Sequence, residues 1–253
     1  MSVTQQDGVL VIGAPRSGTS YTTKILKAHG VDFGSESLDQ QEATARGLAG
    51  YGEDSMLESM LMVQANASGG GCGHNPPDVL LSLDDSTENI RGALVRDKEG
   101  DVIGLKSAGI VYAFPWWWEH ILEGWGRWTV VVVVRNPLEV IASYYKMRSV
   151  PPAQTLALWK RTYQDIMLWE EMYGRQFKWV EFPSGVGMRS AITHIGLEWD
   201  AVKSADAWTP PVGDSGEVPS TFLWFLRFYE VLQKRCRREE GNIITPDLEL
   251  VTA

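Results

Sequence analysis

The stretch VLVIGAPRSGTSYTTKIL, residues 9–26, joins a short apolar run, a glycine-rich turn and a helical pattern. The β-branched residues at its start are typical of a strand covered on both faces, which we place at 8–14. The helical pattern runs from Gly18 to His29, and Gly30 can adopt the left-handed conformation that ends a helix. A strand that enters a helix through such a loop gathers backbone N–H groups at the positive end of the helix dipole. The stretch therefore predicts an anion-binding site.

The loop GAPRSGTS, residues 13–20, has nearly the spacing of the phosphate-binding loop G-x-x-x-x-G-K-S/T, but Thr19 stands at the lysine position. In ATP and GTP enzymes that lysine reaches the β- and γ-phosphates, and the residue after it holds Mg²⁺. Here the basic residue is Arg16, three positions earlier, whose planar guanidinium suits phosphate or sulfate oxygens. A tight turn that binds no ligand is the alternative interpretation.

Strands and helices alternate along the rest of the chain. We predict further strands at 101–106, within 128–137 and at 177–182, and further helices after Asn136, at 153–174 and at 220–236. Five consecutive valines, Val130 to Val134, leave no polar face, as in a central parallel strand. The order predicts an α/β fold with a P-loop-type parallel sheet flanked by helices. We expect a single domain over 1–253, with irregular regions at 34–55 and about 66–100.

Composition excludes several classes of protein. The 253 residues carry a net charge of −9, which argues against nucleic-acid binding. Two distant cysteines and no recognisable signal peptide lead us to expect a cytoplasmic protein. No apolar stretch reaches the roughly 18 residues of a membrane span. None of the four histidines pairs with a cysteine or another histidine at metal-binding spacing, so we expect no metal site.

A second basic position follows the valine run. Arg135 stands at the carboxyl end of that strand, where ligands bind in open parallel sheets. Asn136 and Pro137 are a favourable N-cap and first residue for the next helix. Ser143 lies two turns into that helix and can offer a hydroxyl. A structural salt bridge is the alternative role for Arg135.

Together the two segments resemble sulfotransferases that use 3′-phosphoadenosine 5′-phosphosulfate (PAPS). PRSGTS resembles their 5′-phosphosulfate loop, and RNPLEVIASYY, residues 135–145, resembles their 3′-phosphate motif. LKAHGVDFGSE and RGLAGYGED resemble the bacterial branch of the superfamily, and VIGLKSAG resembles the segment that presents a lysine near the donor sulfate. The resemblance covers about 12–182. Many relatives continue after the strand at 177–182 with Tyr-Glu-Asp-Leu, which this chain lacks, and the adenine contacts are not assigned.

The resemblance implies a role for each matching residue. The 5′ side of the donor would be bound by the loop residues Pro15, Arg16, Ser17, Gly18, Thr19 and Ser20. Arg135 and Ser143 would bind the 3′-phosphate, and no metal is needed. Lys106 would stabilise charge on the oxygen that leaves sulfur, its alternative being a solvated lysine at a strand end. Glu53 is the favoured general base and Glu36 the second candidate, and either one is otherwise an exposed loop carboxylate.

The resemblance implies transfer of a sulfuryl group from PAPS to a hydroxyl or amine. A small molecule, a sugar, a lipid and a peptide remain open as acceptor. A small-molecule kinase with a degenerate loop and a non-catalytic nucleotide-binding or scaffold protein are the alternative functions. The tryptophan-rich run FPWWWEHILEGWGRW, residues 114–128, predicts core packing with a surface aromatic patch. Its alternative role is an aromatic wall for the acceptor.

Overall fold

The computed structural model describes residues 7–34, 57, 60, 61, 63, 64, 87–95, 98–107, 109–148, 150–174, 176–207 and 223–239. Four strands lie in these residues: β1 (Asp7–Ile12), β2 (Val102–Lys106), β3 (Trp128–Arg135) and β4 (Phe177–Phe182). They pair in parallel in the order β2-β1-β3-β4. Helices flank this sheet, so the predicted α/β class is confirmed.

The helices are α1 (Thr19–Ala28), α2 (Thr87–Leu94), α3 (Ile110–Trp117), α4 (Pro137–Arg148), α5 (Pro152–Tyr173), α6 (Met188–Ile195), α7 (Ala201–Ala207) and α8 (Leu223–Glu239). A π-helical turn, Trp118–Leu122, continues α3. The predicted helices correspond to α1, α4, α5 and α8 with shifts of a few residues at their ends. Gly30 ends α1 with the expected positive φ, 102°.

Part of the region predicted to be irregular is helical. The prediction for 66–100 is wrong at α2, where Ile90 and Leu94 lie one turn apart and are both buried. Two apolar positions are too few to establish a helical period from sequence alone. No boundaries were predicted for the short helices α3, α6 and α7.

The five valines of β3 alternate between two hydrophobic clusters. Val130, Val132 and Val134 pack on one face of the sheet with side chains of α3, α5 and α8. Val131 and Val133 pack on the other face with side chains of α1 and α6. The expected burial of this strand on both faces is confirmed.

All four strands end at the same edge of the sheet because they are parallel. Val11 is in register with Lys106, and Arg135 is in register with Phe182. The loop after β1 leaves this edge next to both partner strands. Segments that are distant in sequence therefore meet at this carboxyl edge.

Candidate anion-binding site

Arg16 and Gly18, in the loop between β1 and α1, have positive φ angles, a feature of the backbone nests that bind anions, and we call this loop the nest. Arg16 has a φ of 70°, the only positive φ among the described residues other than glycine, and Gly18 has a φ of 99°. Alternation of right- and left-handed residues turns successive N–H groups toward a common point. The loop is closed by a hydrogen bond from the Ser17 N–H to the Ala14 carbonyl, 3.0 Å. The first turn of α1, beginning at Thr19, adds its unpaired N–H groups at this point.

Glycine is required at position 18 by packing as well as by φ. A Cβ atom built there would lie 2.4 Å from the Phe182 ring. Phe182 ends β4, is fully buried, and also contacts the ring of Tyr21 at a centroid distance of 5.3 Å. The loop therefore lies directly against the end of the fourth strand, a contact that the sequence did not predict.

Arg135 is fixed by three contacts. Its Nε donates to Glu139 Oε2 at 2.8 Å, and its Nη1 donates to the Arg16 carbonyl at 3.1 Å. The guanidinium also lies over the Phe182 ring, 5.0 Å from the centroid. The salt bridge considered for Arg135 is therefore present, and the same side chain also holds the loop. Within the described part of the chain its remaining terminal nitrogen, Nη2, donates no hydrogen bond.

Arg16 and Ser143 join the two predicted motifs directly. The Arg16 Nε donates to Ser143 Oγ at 3.0 Å across 127 residues of sequence. Ser143 accepts this bond, so its own O–H can still donate to a ligand. Arg135 also donates to the Arg16 carbonyl, so two hydrogen bonds join the two motifs. The structure thus brings together the residues that were assigned to opposite ends of the donor.

Lys106 also reaches the loop. Its Nζ donates to Ser20 Oγ, in the first turn of α1, at 2.9 Å. Only 1% of the residue is exposed, so the alternative of a solvated lysine at a strand end is wrong. A buried ammonium requires polar partners, and its place beside the helix N-terminus adds positive charge to the nest. Pro15 lies in the loop between these groups and the end of β1.

Two aromatic side chains of α5 donate hydrogen bonds to backbone carbonyls at the end of β3, next to the site. Tyr163 is completely buried and its hydroxyl donates to the Val133 carbonyl at 2.6 Å. Burial raises the pKa of this hydroxyl, which keeps it protonated as a donor. Trp159 donates through Nε1 to the Arg135 carbonyl at 3.2 Å. No sequence pattern indicated that these two aromatic residues carry the polar groups that fix the end of β3.

A buried carboxylate adjoins the site on β4. Glu181 accepts hydrogen bonds from Tyr229 at 2.8 Å, from Ser184 at 3.0 Å and from Gln233. Burial, followed by the contact with Glu181, raises the pKa of the Tyr229 hydroxyl. This network ties α8 to the strand next to Phe182. Its only sequence signal was a glutamate in a strand with one other polar residue.

Both candidate bases, Glu53 and Glu36, lie outside the described residues. The tryptophan-rich run can be placed, and its core interpretation is confirmed for Trp117, Trp118, Trp125 and Trp128, all of which are buried. Across the described ranges there is no cluster of three or more His, Cys, Asp or Glu residues that could hold a metal ion. Nor do those ranges contain a helix with the length and apolar character needed to cross a membrane.

No protein-family model matches the chain, and no curated protein matches it. Among solved structures, it is similar to the sulfotransferase domain from the Synechococcus PCC 7002 olefin synthase. The TM-score is 0.49 and the identity 15%, over 99% of this chain and 95% of that one. It is also similar to the sulfotransferase STF1 from Mycobacterium tuberculosis. In that case the TM-score is 0.45 and the identity 14%, over 92% of this chain and 77% of that one.

Proposed function

We propose that the protein is a PAPS-dependent sulfotransferase. The observation that carries this proposal is the double contact between the loop after β1 and the end of β3. There the Arg16 side chain bonds Ser143, and the Arg135 side chain bonds the Arg16 carbonyl. Two arginines held together beside an anion-binding nest fit a ligand that carries two separate anionic groups. PAPS has such groups on the 5′ and 3′ positions of one ribose.

The residues present fit the donor better than they fit a nucleoside triphosphate. The nest lacks the lysine that a β–γ phosphate pair requires, because Thr19 occupies that position. The loop amides and Arg16 are suited to the 5′ phosphosulfate. Nη2 of Arg135 and the hydroxyl of Ser143 are suited to the 3′-phosphate, which ATP lacks. This second site would select the donor against ATP.

We infer the transfer step from the resemblance together with the position of Lys106. An acceptor oxygen or nitrogen forms a bond to sulfur as the bond between sulfur and the bridging oxygen breaks. Lys106, held beside the first turn of α1, would stabilise the charge that develops on that oxygen. The acceptor proton would pass to a carboxylate, for which Glu53 is our first candidate and Glu36 the second. The products are the sulfated acceptor and adenosine 3′,5′-bisphosphate.

Ligand-induced thermal stabilisation separates this function from its alternatives. We expect adenosine 3′,5′-bisphosphate to raise the Tm strongly, and adenosine 5′-phosphate and ATP with Mg²⁺ to raise it little. Stabilisation by ATP with Mg²⁺ alone would support the kinase, and no response to any of them would support a non-catalytic protein without a nucleotide site. Incubation of acceptor pools with labelled PAPS then identifies the acceptor class. Label transfer should persist in the presence of a metal chelator, since no phosphate pair has to be bridged.

A further inference from the structure

A carboxylate lies next to the cation assigned to the 3′-phosphate. Glu139, in the first turn of α4, accepts a hydrogen bond from the Arg135 Nε at 2.8 Å. The Arg135 side chain is 12% exposed and that of Glu139 is 31% exposed. This ion pair therefore combines one largely buried partner with one partly open to water. The negative charge of Glu139 therefore lies where an anionic ligand is expected to bind.

Glu139 completes the set of contacts that hold the guanidinium. The Arg16 carbonyl accepts a hydrogen bond from the Arg135 Nη1, and the Phe182 ring covers one face of the guanidinium. With Nε bonded to Glu139, the guanidinium cannot rotate freely, and Nη2 is the nitrogen left to donate to a ligand. This arrangement orients the guanidinium in advance, so less side-chain conformational entropy is lost when a ligand binds.

The same carboxylate must also weaken the site. Like charges repel, so the carboxylate of Glu139 opposes a phosphate bound to Arg135. The two effects act in opposite directions on affinity, since one orients the cation and the other partly neutralises it. A purely structural role is also available, because an acidic residue in the first turn stabilises a helix. That role would change stability but not the discrimination between ligands with and without a 3′-phosphate.

We propose that Glu139 is a positioning residue that sets the strength of the 3′-phosphate site, orienting Arg135 while limiting the affinity for the bisphosphate product so that it leaves. This proposal rests on the proposed function, because it requires that Arg135 bind a 3′-phosphate. It assigns to Glu139 a role in product release that neither the loop nor the basic residues supply.

Two substitutions separate charge from orientation. Glu139→Gln keeps an oxygen that can accept from Nε but removes the charge, whereas Glu139→Ala removes both. Glu171→Gln is the matched control, since it removes the same charge from an exposed position in the last turn of α5. Twelve residues of helix, about 18 Å, separate Glu171 from Trp159, which contacts the Arg135 carbonyl.

Calorimetry with adenosine 3′,5′-bisphosphate and adenosine 5′-phosphate measures the two affinities, and stopped-flow competition measures bisphosphate release. We expect Glu139→Gln to bind the bisphosphate about two- to fivefold more tightly, the scale of one partly exposed charge pair. Its release should slow by a similar factor. The affinity for adenosine 5′-phosphate should not change. Glu139→Ala should bind the bisphosphate more weakly than Glu139→Gln, because the guanidinium has lost its acceptor. Glu171→Gln should match the wild type.

Unchanged or weaker bisphosphate binding by Glu139→Gln would overturn the proposal, as would an equal shift for both nucleotides. A change in Tm with no change in the ratio of the two affinities would leave Glu139 with a structural role only and would also overturn it. If the wild type fails to prefer the bisphosphate over adenosine 5′-phosphate, the proposed function itself fails. That result is recognisable before any variant is made.

Discussion

The Arg16 Nε and the Ser143 Oγ lie 3.0 Å apart, although 127 residues separate them in sequence. This contact links a loop that follows the first strand to a helix that follows the third. The carbonyl of the same arginine accepts a bond from Arg135. The two segments are therefore joined directly by two hydrogen bonds.

The first prediction concerns this connection. Arg16→Ala and Ser143→Ala should be non-additive in their effect on adenosine 3′,5′-bisphosphate affinity, with a coupling of about 0.5–3 kcal/mol, as for residues in contact. A double-mutant cycle by calorimetry measures it. Arg16→Ala combined with Ser204→Ala is the control, because Ser204 contacts Asp200 and His29 at the end of α1. That control pair should be additive, and additivity of the Arg16 and Ser143 pair would show that the contact has no energetic role.

The second prediction concerns the loop backbone. Gly18→Ala places a methyl group against the Phe182 ring at a positive φ, so we expect the free energy of unfolding to fall by roughly 1–3 kcal/mol. Nucleotide affinity should fall with it, because the nest is displaced. Gly92→Ala in α2 is the matched control: a Cβ there meets nothing within 4 Å. It should raise stability by up to about 1 kcal/mol. Chemical denaturation that finds Gly18→Ala as stable as the wild type would contradict this packing.

The third prediction concerns pH. Burial alone would raise the pKa of Asp32, but hydrogen bonds from the N–H groups of Gly34, Glu99 and Gly100 and the charge of Lys98 hold this pKa below its ordinary value. A lowered pKa contributes stability above its unfolded-state value, and the contribution is lost as pH falls through the folded-state value. Asp32→Asn should therefore be less stable than wild type at pH 7, by roughly 1–3 kcal/mol. The difference should shrink below about pH 4. A difference that is constant with pH would exclude this role for the charge.

The fourth prediction concerns the base. Glu53→Gln should lower kcat by about 10²- to 10⁴-fold, the usual contribution of general-base catalysis. Donor affinity should stay within a few-fold, since the carboxylate is expected to face the acceptor. Glu36→Gln provides the comparison, because both positions carry a sequence-based assignment. Loss of turnover in Glu36→Gln with normal turnover in Glu53→Gln would transfer the role to Glu36.

The sequence predicted which residues of the candidate site lie close together only where the parallel arrangement of the strands determines it. Lys106 ends β2 and Arg135 ends β3, the two strands that pair with β1. That both side chains lie near the loop after β1 therefore follows from the sheet topology. The contacts of Phe182 with Gly18 and of Tyr163 with Val133 were not predictable, because they join segments whose spacing carries no local signal. Burial of a strand-end lysine was missed for the same reason. The burial of Lys106 depends on side chains from other elements, which the residue pattern of its own strand does not reveal.

The most direct measurement is the affinity of Arg135→Ala for two nucleotides. Adenosine 3′,5′-bisphosphate should bind about 10- to 150-fold more weakly, the scale of one charge-assisted contact. Adenosine 5′-phosphate, which lacks the 3′ group, should lose much less affinity, only the contribution of the hydrogen bond by which Arg135 holds the Arg16 carbonyl in the loop. Arg127→Ala is the matched control, because this exposed arginine pairs with Asp7 at the opposite end of β3, and it should alter neither affinity. Selective loss of the bisphosphate would support a site with a dedicated 3′-phosphate cation, and equal losses for both nucleotides would contradict it.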